Sequence, residues 1–466
     1  MLRYPALIGF AALTLLVAGC SDGGDGDPSP SAGGPDAYAF PRAPTVTDTA
    51  TSPEVDRAVS QLVAGAAGGV IDSRALATVS ASHDARLGWL VSDLLRFYQG
   101  SQDEVRLVEA FGMLTGVDVR KDPLITEGAW KTVTDHMLAW DLPAPTRYRE
   151  LKAKLFLAVE PRWKPFFSDA ASEIDWRRLS WGGVLIDDRP LGDPAPCPGG
   201  CIPALDDPAL TTAAAGDWYP DDRIVFGIVI GDDVIALPKN VMEIHEMVNT
   251  TVGGRRLGIP YCTLCGSAQA YFLDAIPVGV DQPVLRTSGL LTRSNKVMYD
   301  LVTRSVFDTF TGRALSGPLH RKQVMLEQAT VVTSTWAEWK RAHPATKIVA
   351  QDGGIGRSYE LDPLGGRDDS GPIFPIGDVD RRLATQTQVV GVVTPDGETV
   401  AFVADAAREA LRSGKRVEAS GVELVADGGG LRARSDGGQE LPSHQAFWFA
   451  WSQFHPETDV WLAPSW

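Results

Sequence analysis

Three residues that can bind a metal ion or carry out redox chemistry lie close together in the segment "EIHEMVNTTVGGRRLGIPYCTLCGSAQAYF", residues 243–272. His245 lies on the apolar face of a predicted short helix. A glycine turn and a predicted strand over 256–262 lead from this helix to Cys262 and Cys265. A helix, a turn and a strand in this order can bring the imidazole and the two thiols into one site.

The Cys-x-x-Cys spacing is compatible with several chemistries. Covalent haem attachment needs a histidine directly after the second cysteine, but Gly266 stands there. A redox dithiol usually precedes a helix that lowers the thiol pKa, whereas "SAQAYFLD" alternates like a strand. Two thiolates and one imidazole form a soft ligand set that favours one copper or zinc ion. A metal site, a redox dithiol and a structural disulfide all remain open.

A second cysteine pair occurs in "CPGGC", at Cys197 and Cys201. Outside the cytoplasm two such cysteines form a disulfide by default. They could instead join Cys262 and Cys265 in a four-thiolate zinc site, which would have to close over a long intervening segment.

The elements that would position these residues change in character along the chain. Helical periodicity dominates 51–165, where "DARLGWLVSDLLRFYQG" and "SQDEVRLVEAFGMLTG" predict a helical hairpin within a small bundle or a HEAT-like stack. From 166 to 466, short β-branched runs surround turn residues, as in "RIVFGIVIGDDVIALP" and "TQVVGVVTPDGETVAFV". We therefore expect an α+β protein, with a helical region followed by a mainly antiparallel β body with a few short helices.

Composition limits the class of partner. The chain has 466 residues, 44% of them hydrophobic, and a net charge of −16. This charge repels nucleic acids, so we expect none as a partner. The sequence lacks a Gly-x-Ser-x-Gly elbow and a strand-linked Gly-x-Gly-x-x-Gly loop, so it shows no serine hydrolase or nucleotide-binding signature.

The first residues are typical of an exported lipoprotein. An apolar run after Arg3 ends in "LVAGC", which resembles a bacterial lipobox and implies cleavage after residue 19 and acylation of Cys20. The Gly, Ser, Pro and Asp residues that follow predict a flexible tether over 20–50. The expected location is extracytoplasmic, with a lipid anchor in a bacterial membrane.

Several segments together resemble one known family. "WGGVLID", "IPALDDPAL", "IHEMVNTTVGGRRLGIPYCTLCGSAQAYF", "TSTWAEWKRAHPAT" and "FWFAWSQFHPET" are similar to successive blocks of the domain-of-unknown-function 3179 family, over roughly 148–461. The resemblance implies that His245, Glu246 and Asn249 form one family motif and that Tyr261, Cys262, Leu264, Cys265 and Gly266 form another. The "CPGGC" segment lies outside the family pattern, which argues against the four-thiolate zinc site.

These observations give three hypotheses. The first is a lipoprotein with one copper or zinc ion bound by Cys262, Cys265 and His245, beside which Glu246, Asn249 and Tyr261 orient the ligands or handle protons. Such a protein could be an oxidoreductase or a metal-handling protein. The second is a non-catalytic cell-envelope binding protein with a disulfide between Cys262 and Cys265. The third is a thiol–disulfide redox protein. The sequence leaves open whether the protein is an enzyme, and identifies no protein or small-molecule partner.

Overall fold

The computed structural model describes residues 38–47, 50–197, 199–277, 279–367 and 371–462. The predicted signal peptide, Cys20 and the first part of the predicted tether lie outside the described residues. No helix in the described ranges is both long enough and apolar enough to cross a membrane.

Twelve α-helices occur within the described residues. The first seven precede the sheets, and the others lie between strands. Their bounds are α1 Pro53–Ala67, α2 Ser73–Ser80, α3 Gly88–Tyr98, α4 Asp103–Thr115, α5 Ala129–Trp140, α6 Tyr148–Val159, α7 Lys164–Ser168, α8 Lys239–His245, α9 Gly317–Arg321, α10 Trp336–Ala342, α11 Ala404–Arg412 and α12 Trp448–Phe454.

Twenty-three short strands are formed by the same part of the chain. Their bounds are β1 Leu179–Trp181, β2 Leu205–Asp206, β3 Leu210–Thr212, β4 Ile224–Ile230, β5 Asp233–Pro238, β6 Met247–Val252, β7 Arg255–Cys262, β8 Ser267–Ala268, β9 Ala270–Phe272, β10 Leu285–Thr292, β11 Asn295–Asp300, β12 Val306–Asp308, β13 Glu327–Ala329, β14 Val332–Thr335, β15 Lys347–Val349, β16 Gln388–Val393, β17 Thr399–Val403, β18 Val417–Ala419, β19 Val422–Asp427, β20 Gly430–Ser435, β21 Glu440–Leu441, β22 Ser443–Phe447 and β23 Asp459–Trp461.

The strands form five sheets, which are the blades of a five-bladed β-propeller. Blade A has the strand order β1-β10-β11-β12, and blade B has the order β13-β9-β7-β6-β2 with β8 beside β7. Blade C is β14-β4-β5-β15-β3, blade D is β22-β16-β17-β23, and blade E is β18-β19-β20-β21. Most neighbouring strands are antiparallel, as expected, and the parallel pairs are β2–β6, β5–β15 and β17–β23.

The expected α+β class, with a small bundle or HEAT-like stack before one β body, is wrong. Helices α1–α7 do form, but they share one apolar core with blade A, where Leu290, Val297 and Tyr299 pack among the helical side chains. The indole nitrogen of Trp163 also donates to the carbonyl oxygen of Ser288, at 2.7 Å. Hairpin signals are local, whereas a blade such as A joins strands more than a hundred residues apart in sequence. The alternation of residue types therefore does not reveal the blades.

Blades C and D repeat one arrangement. In each, a central hairpin (β4–β5 or β16–β17) has an antiparallel strand on one side (β14 or β22) and a parallel strand on the other (β15 or β23). A helix, α10 or α12, joins the two flanking strands and carries the same residues at the same spacing. These are Trp336, Trp339, His343 and Thr346 in blade C, and Trp448, Trp451, His455 and Thr458 in blade D.

The repeated residues have the same contacts in both blades. Trp339 and Trp451 each donate the indole N–H to the threonine hydroxyl, at 3.0 and 3.1 Å. Each indole also covers a strand glycine, Gly227 or Gly391, where a side chain would collide with the ring. The propeller therefore contains an internal structural duplication, which the sequence analysis did not detect.

Candidate functional site

The Cys-x-x-Cys segment forms a tight turn between two strands of blade B. Strand β7 ends at Cys262, Thr263–Cys265 form one turn of 3-10 helix, and Gly266 reverses the chain at φ 57° into β8. Cys262 is 2% exposed and Cys265 is fully buried, and both are free thiols. The turn therefore holds two thiols side by side beneath the surface.

The two sulfurs are arranged as a close dithiol. Their Sγ atoms lie 2.6 Å apart. The Ser294 carbonyl oxygen lies 3.8 Å from the sulfur of Cys262 and 3.6 Å from that of Cys265, and Asn295 Oδ1 lies 3.3 Å from the latter. Two thiolates on one tetrahedral zinc ion, with bonds of about 2.3 Å, would lie about 3.8 Å apart. The observed separation lies between that value and the length of an S–S bond, about 2.05 Å.

A buried lysine and a partly exposed glutamate lie next to the dithiol. Lys296, in β11, donates through Nζ to the backbone oxygens of Glu246 and Tyr261, the latter at 3.4 Å. The Glu246 carboxylate lies 3.7 Å from Nζ and accepts from the Thr263 hydroxyl at 3.2 Å. Because Thr263 belongs to the turn itself, Glu246 is linked directly to the Cys-x-x-Cys segment.

Burial shifts the proton affinities of this group. It lowers the pKa of Lys296 to about 8, although the Glu246 carboxylate and Cys262 act in the opposite direction. Burial also raises the pKa of Glu246, against the effect of the Lys296 ammonium. The pKa of the Cys265 thiol is raised well above its ordinary value by burial and by the hydrogen bond with Cys262. Such shifts occur both at reaction centres and in structural ion pairs.

A cavity of about 310 Å³ opens onto this group. Thr263 and Leu264 of the turn line it together with Glu246 and Lys296. Gly182 and Val184, the part of β10 around Gly289, and Ile373 and Phe374 line it as well. Cys262 and Cys265 do not themselves line the cavity, whereas the two residues between them in the sequence do.

His245 lies at the end of α8, but its ring makes contacts elsewhere. Nδ1 lies 2.7 Å from the Pro203 carbonyl oxygen and Nε2 lies 2.8 Å from the Tyr359 hydroxyl. Burial lowers the pKa of His245 to about 4, so the ring is neutral at pH 7. The role of His245 as a metal ligand stays a prediction, and the contacts that it makes are those of a hydrogen-bonded core residue.

Asn249 and Tyr261 hold blades and strands together. Asn249 Nδ2 donates to Asp206 Oδ1 and to the Leu285 carbonyl oxygen, both at 3.0 Å, which joins blade B to blade A. The Tyr261 ring packs 5.0 Å from the Phe226 ring, while its backbone oxygen accepts from Lys296. Tyr261 thus reaches the candidate site through its main chain.

Cys197 and Cys201 lie at disulfide distance, with Cα atoms 5.2 Å apart. With Asp187 they are the one group in the described ranges that places three potential metal-ligand atoms within 4.8 Å of one another. The Asp187 carboxylate accepts from Arg189 at 2.7 Å and from the Ala204 amide at 2.8 Å. The Asp187 carboxylate has hydrogen-bond partners within the protein, and the two sulfurs lie at disulfide distance. This group is therefore arranged as a loop closed by a disulfide rather than as an open metal site.

Lys296 is the site residue that the sequence analysis missed. Its signal is a lysine inside a strand whose every residue is buried, in "NKVMYD". A lysine is almost never fully buried unless it is paired, so its position in a predicted strand indicates a partner carboxylate. The sequence does not show that this carboxylate is Glu246.

Comparison with known proteins identifies a family. A family model described as "Protein of unknown function (DUF3179)" matches residues 199–437, which include the dithiol, Glu246 and Lys296. No curated protein and no solved structure matches the chain. The match extends over just over half of the 466 residues, so the chain belongs to the DUF3179 family of proteins of unknown function.

Proposed function

We propose that this protein is a thiol–disulfide oxidoreductase in which Cys262 and Cys265 alternate between dithiol and disulfide. The observation that carries the proposal is the pair of free, buried sulfurs 2.6 Å apart beside a buried lysine that is paired with a partly exposed glutamate. Disulfide formation removes two electrons and two protons from the pair, so a buried dithiol needs nearby groups that accept protons.

The neighbouring residues fit distinct roles in this reaction. The Lys296 ammonium interacts electrostatically with Cys262 and so places a positive charge beside the dithiol. The raised pKa of Cys265 keeps the second sulfur protonated until the first has reacted. Glu246, whose pKa is raised and whose carboxylate touches the turn through Thr263, takes up or returns the proton.

The geometry favours this reaction over a copper or zinc site at the same cysteines. Both ring nitrogens of His245 have hydrogen-bond partners away from the dithiol. The sulfurs also lie closer together than two thiolates on one zinc ion would. A structural disulfide would need no ion pair beside it, and the buried Lys296 ammonium of this pair is costly to remove from water.

A redox titration tests the proposal. Purified protein is equilibrated with mixtures of reduced and oxidised dithiothreitol, alkylated, and mapped by mass spectrometry. We expect Cys262 and Cys265 to form one disulfide reversibly, with a single two-electron midpoint. In Cys262→Ser and Cys265→Ser the remaining thiol should stay unpaired at every ratio. A pair that keeps both thiols over the whole range, or that retains a bound metal ion and resists alkylation, would contradict the proposal.

The second cysteine pair supplies the matched control. A Cys197→Ser, Cys201→Ser double variant removes the other disulfide while leaving the turn intact. Its midpoint for Cys262 and Cys265 should equal that of the wild type. If the midpoint is lost or shifted in this variant, the titration of the wild type reports Cys197 and Cys201 instead of Cys262 and Cys265.

We also propose that the protein works outside the cytoplasm, held to the membrane through acylated Cys20. This proposal rests on the lipobox-like "LVAGC". In a bacterial host, Cys20→Ser should move the protein from the membrane fraction to the soluble fraction. Continued membrane association of the variant would contradict the anchor.

A further inference from the structure

The cavity beside the dithiol has the size of a small-ligand pocket. Its volume of about 310 Å³ lies at the lower end of the range for small-ligand pockets. Cys262 is 2% exposed and Cys265 is fully buried, so a disulfide on the surface of another protein has no direct approach to either sulfur. The molecule that exchanges electrons with the dithiol must therefore be small.

The lining selects an apolar molecule. Eight of the seventeen lining residues have aliphatic or aromatic side chains, among them Val184, Ile202, Leu264, Leu290, Ile373 and Phe374. The hydroxyl groups on the wall have partners within the protein: Thr263 donates to Glu246, Thr287 to the Ile202 oxygen and Ser288 to the Val297 oxygen. These hydroxyl groups therefore have no donor hydrogen left for a strongly polar ligand.

The charges around the cavity select an uncharged molecule. Lys296 is paired with Glu246, and Glu243 is paired with Lys239, so the inner wall is close to electrically neutral. Arg367 lies exposed at the rim, where water solvates its charge. An ionised ligand would lose its hydration in this cavity without gaining a counter-charge. Lys296 and Glu246 nevertheless provide proton donors at one end.

We infer that the cavity binds a quinone, which accepts the electrons of the Cys262–Cys265 dithiol. This inference rests on the proposed function. A quinone is small, uncharged and largely apolar, and its carbonyl oxygens accept hydrogen bonds, so it fits a site with an apolar wall and proton donors at one end. In the reaction two S–H bonds break and one S–S bond forms, while two O–H bonds form as the quinone becomes a hydroquinone. Two electrons and two protons are transferred, and no further reagent is needed.

The turn controls access of the quinone to the sulfurs. Leu264, which is half-buried, lines the cavity and stands between the two cysteines in the sequence. Because neither sulfur lines the cavity, contact between Cys262 and a bound ring requires a movement of the turn at this residue. Ile373, which is 40% exposed, lies on the wall next to Phe374, so a larger side chain there can close the cavity without disturbing a packed core.

Anaerobic mixing of the reduced protein with duroquinone tests the inference. Duroquinone has no free ring position, so it cannot be consumed by simple addition of a thiol to such a position. We expect one duroquinone to be reduced per chain, with a rate that saturates with concentration and with loss of both thiols. Ile373→Trp should slow the reaction by about tenfold or more, because a filled pocket loses the contacts that hold the ring.

Controls separate this inference from the proposed function. Leu361→Trp places the same residue at an exposed position that does not line the cavity, and its rate should equal that of the wild type. Dithiothreitol titration of Ile373→Trp should still give a reversible disulfide. A dithiol that cycles with dithiothreitol but does not reduce duroquinone, or that reduces duroquinone as fast in Ile373→Trp as in the wild type, would overturn the quinone site and leave the proposed function standing.

Discussion

At the scale of single residues, the sequence is compatible with two roles for His245, a metal ligand and a core residue, whereas the contacts in the structure are those of a core residue. Its place on the apolar face of a helix agrees both with a ligand and with a core residue. The hydrogen bonds to Pro203 and Tyr359 engage both nitrogens, and burial lowers its pKa to about 4. In the unfolded chain the pKa of histidine is about 6.5. His245 therefore stabilises the fold fully above pH 6.5, and this contribution is lost as the pH falls towards 4.

We expect the free energy of unfolding to decrease by about 3 kcal/mol from this residue alone between pH 7 and pH 4. His245→Gln should be less stable than the wild type at pH 7 by about 1–3 kcal/mol, because it loses buried hydrogen bonds. Its stability should also depend less steeply on pH. Urea unfolding at several pH values measures both effects. The exposed His83 provides the control: His83→Gln should keep the wild-type pH dependence, and equal slopes in all three proteins would contradict the assignment.

At the scale of elements, the Cys-x-x-Cys turn depends on Gly266. This residue has φ 57°, in the left-handed region, and a Cβ atom there would lie 2.9 Å from the Phe447 ring. Any other residue would therefore meet both backbone strain and a collision with an aromatic ring. The close approach of Gly266 to Phe447 places the turn with its two thiols against blade D. Trp448 and Ala446 of this blade complete the surrounding core.

Gly266→Ala should destabilise the protein by about 1–3 kcal/mol and speed the alkylation of Cys262 and Cys265, because the turn must shift away from Phe447. Gly397 is the matched control, since it has φ 84° and no atom within 4 Å of its Cβ position. Gly397→Ala should show the backbone cost alone, with unchanged thiol reactivity. Thermal melting and timed iodoacetamide labelling measure the two effects. Equal labelling in the two variants would show that Phe447 does not fix the turn.

Local patterns predicted individual elements well and their assembly poorly. The hairpins β4–β5 and β16–β17 occur where the β-branched runs flank turn residues. The two cysteines were also identified as the centre of the candidate site. The blades were not predicted, because pairings such as β1 with β10 depend on contacts between distant segments. Lys296 was missed for the same reason, since its partner Glu246 lies fifty residues earlier.

At the scale of the whole molecule, the duplicated blades explain where the site lies. The hairpin β6–β7 follows blade C's central hairpin and α8, as β19–β20 follows blade D's central hairpin and α11. The two copies share a fold, but only the first continues from its hairpin into the Cys-x-x-Cys turn. The second copy packs against that turn through Phe447 and Trp448. The first copy thus contains the candidate site, and the second copy completes the apolar core around it.

The helical layer is tied to the propeller by a buried carboxylate. Asp135 of α5 accepts the backbone N–H groups of Ile376 and Gly377 at 2.7 and 2.8 Å, and Lys131 Nζ lies 3.0 Å from it. Residue 373 lines the dithiol cavity, so the same loop joins the helices to the candidate site. This arrangement predicts that the helices and the propeller unfold together.

Removal of the Asp135 carboxylate should therefore destabilise both the helices and the propeller. Asp135→Ala leaves two buried amides and part of the charge of Lys131 without partners, so the free energy of unfolding should fall by about 2–4 kcal/mol. The wild type should melt in a single calorimetric transition, whereas the variant should show a second one as the helices separate first. Glu150→Ala removes an exposed carboxylate from α6 and should change stability by less than about 0.5 kcal/mol. One transition at the wild-type temperature in Asp135→Ala would show that the apolar core shared with blade A alone joins the two regions.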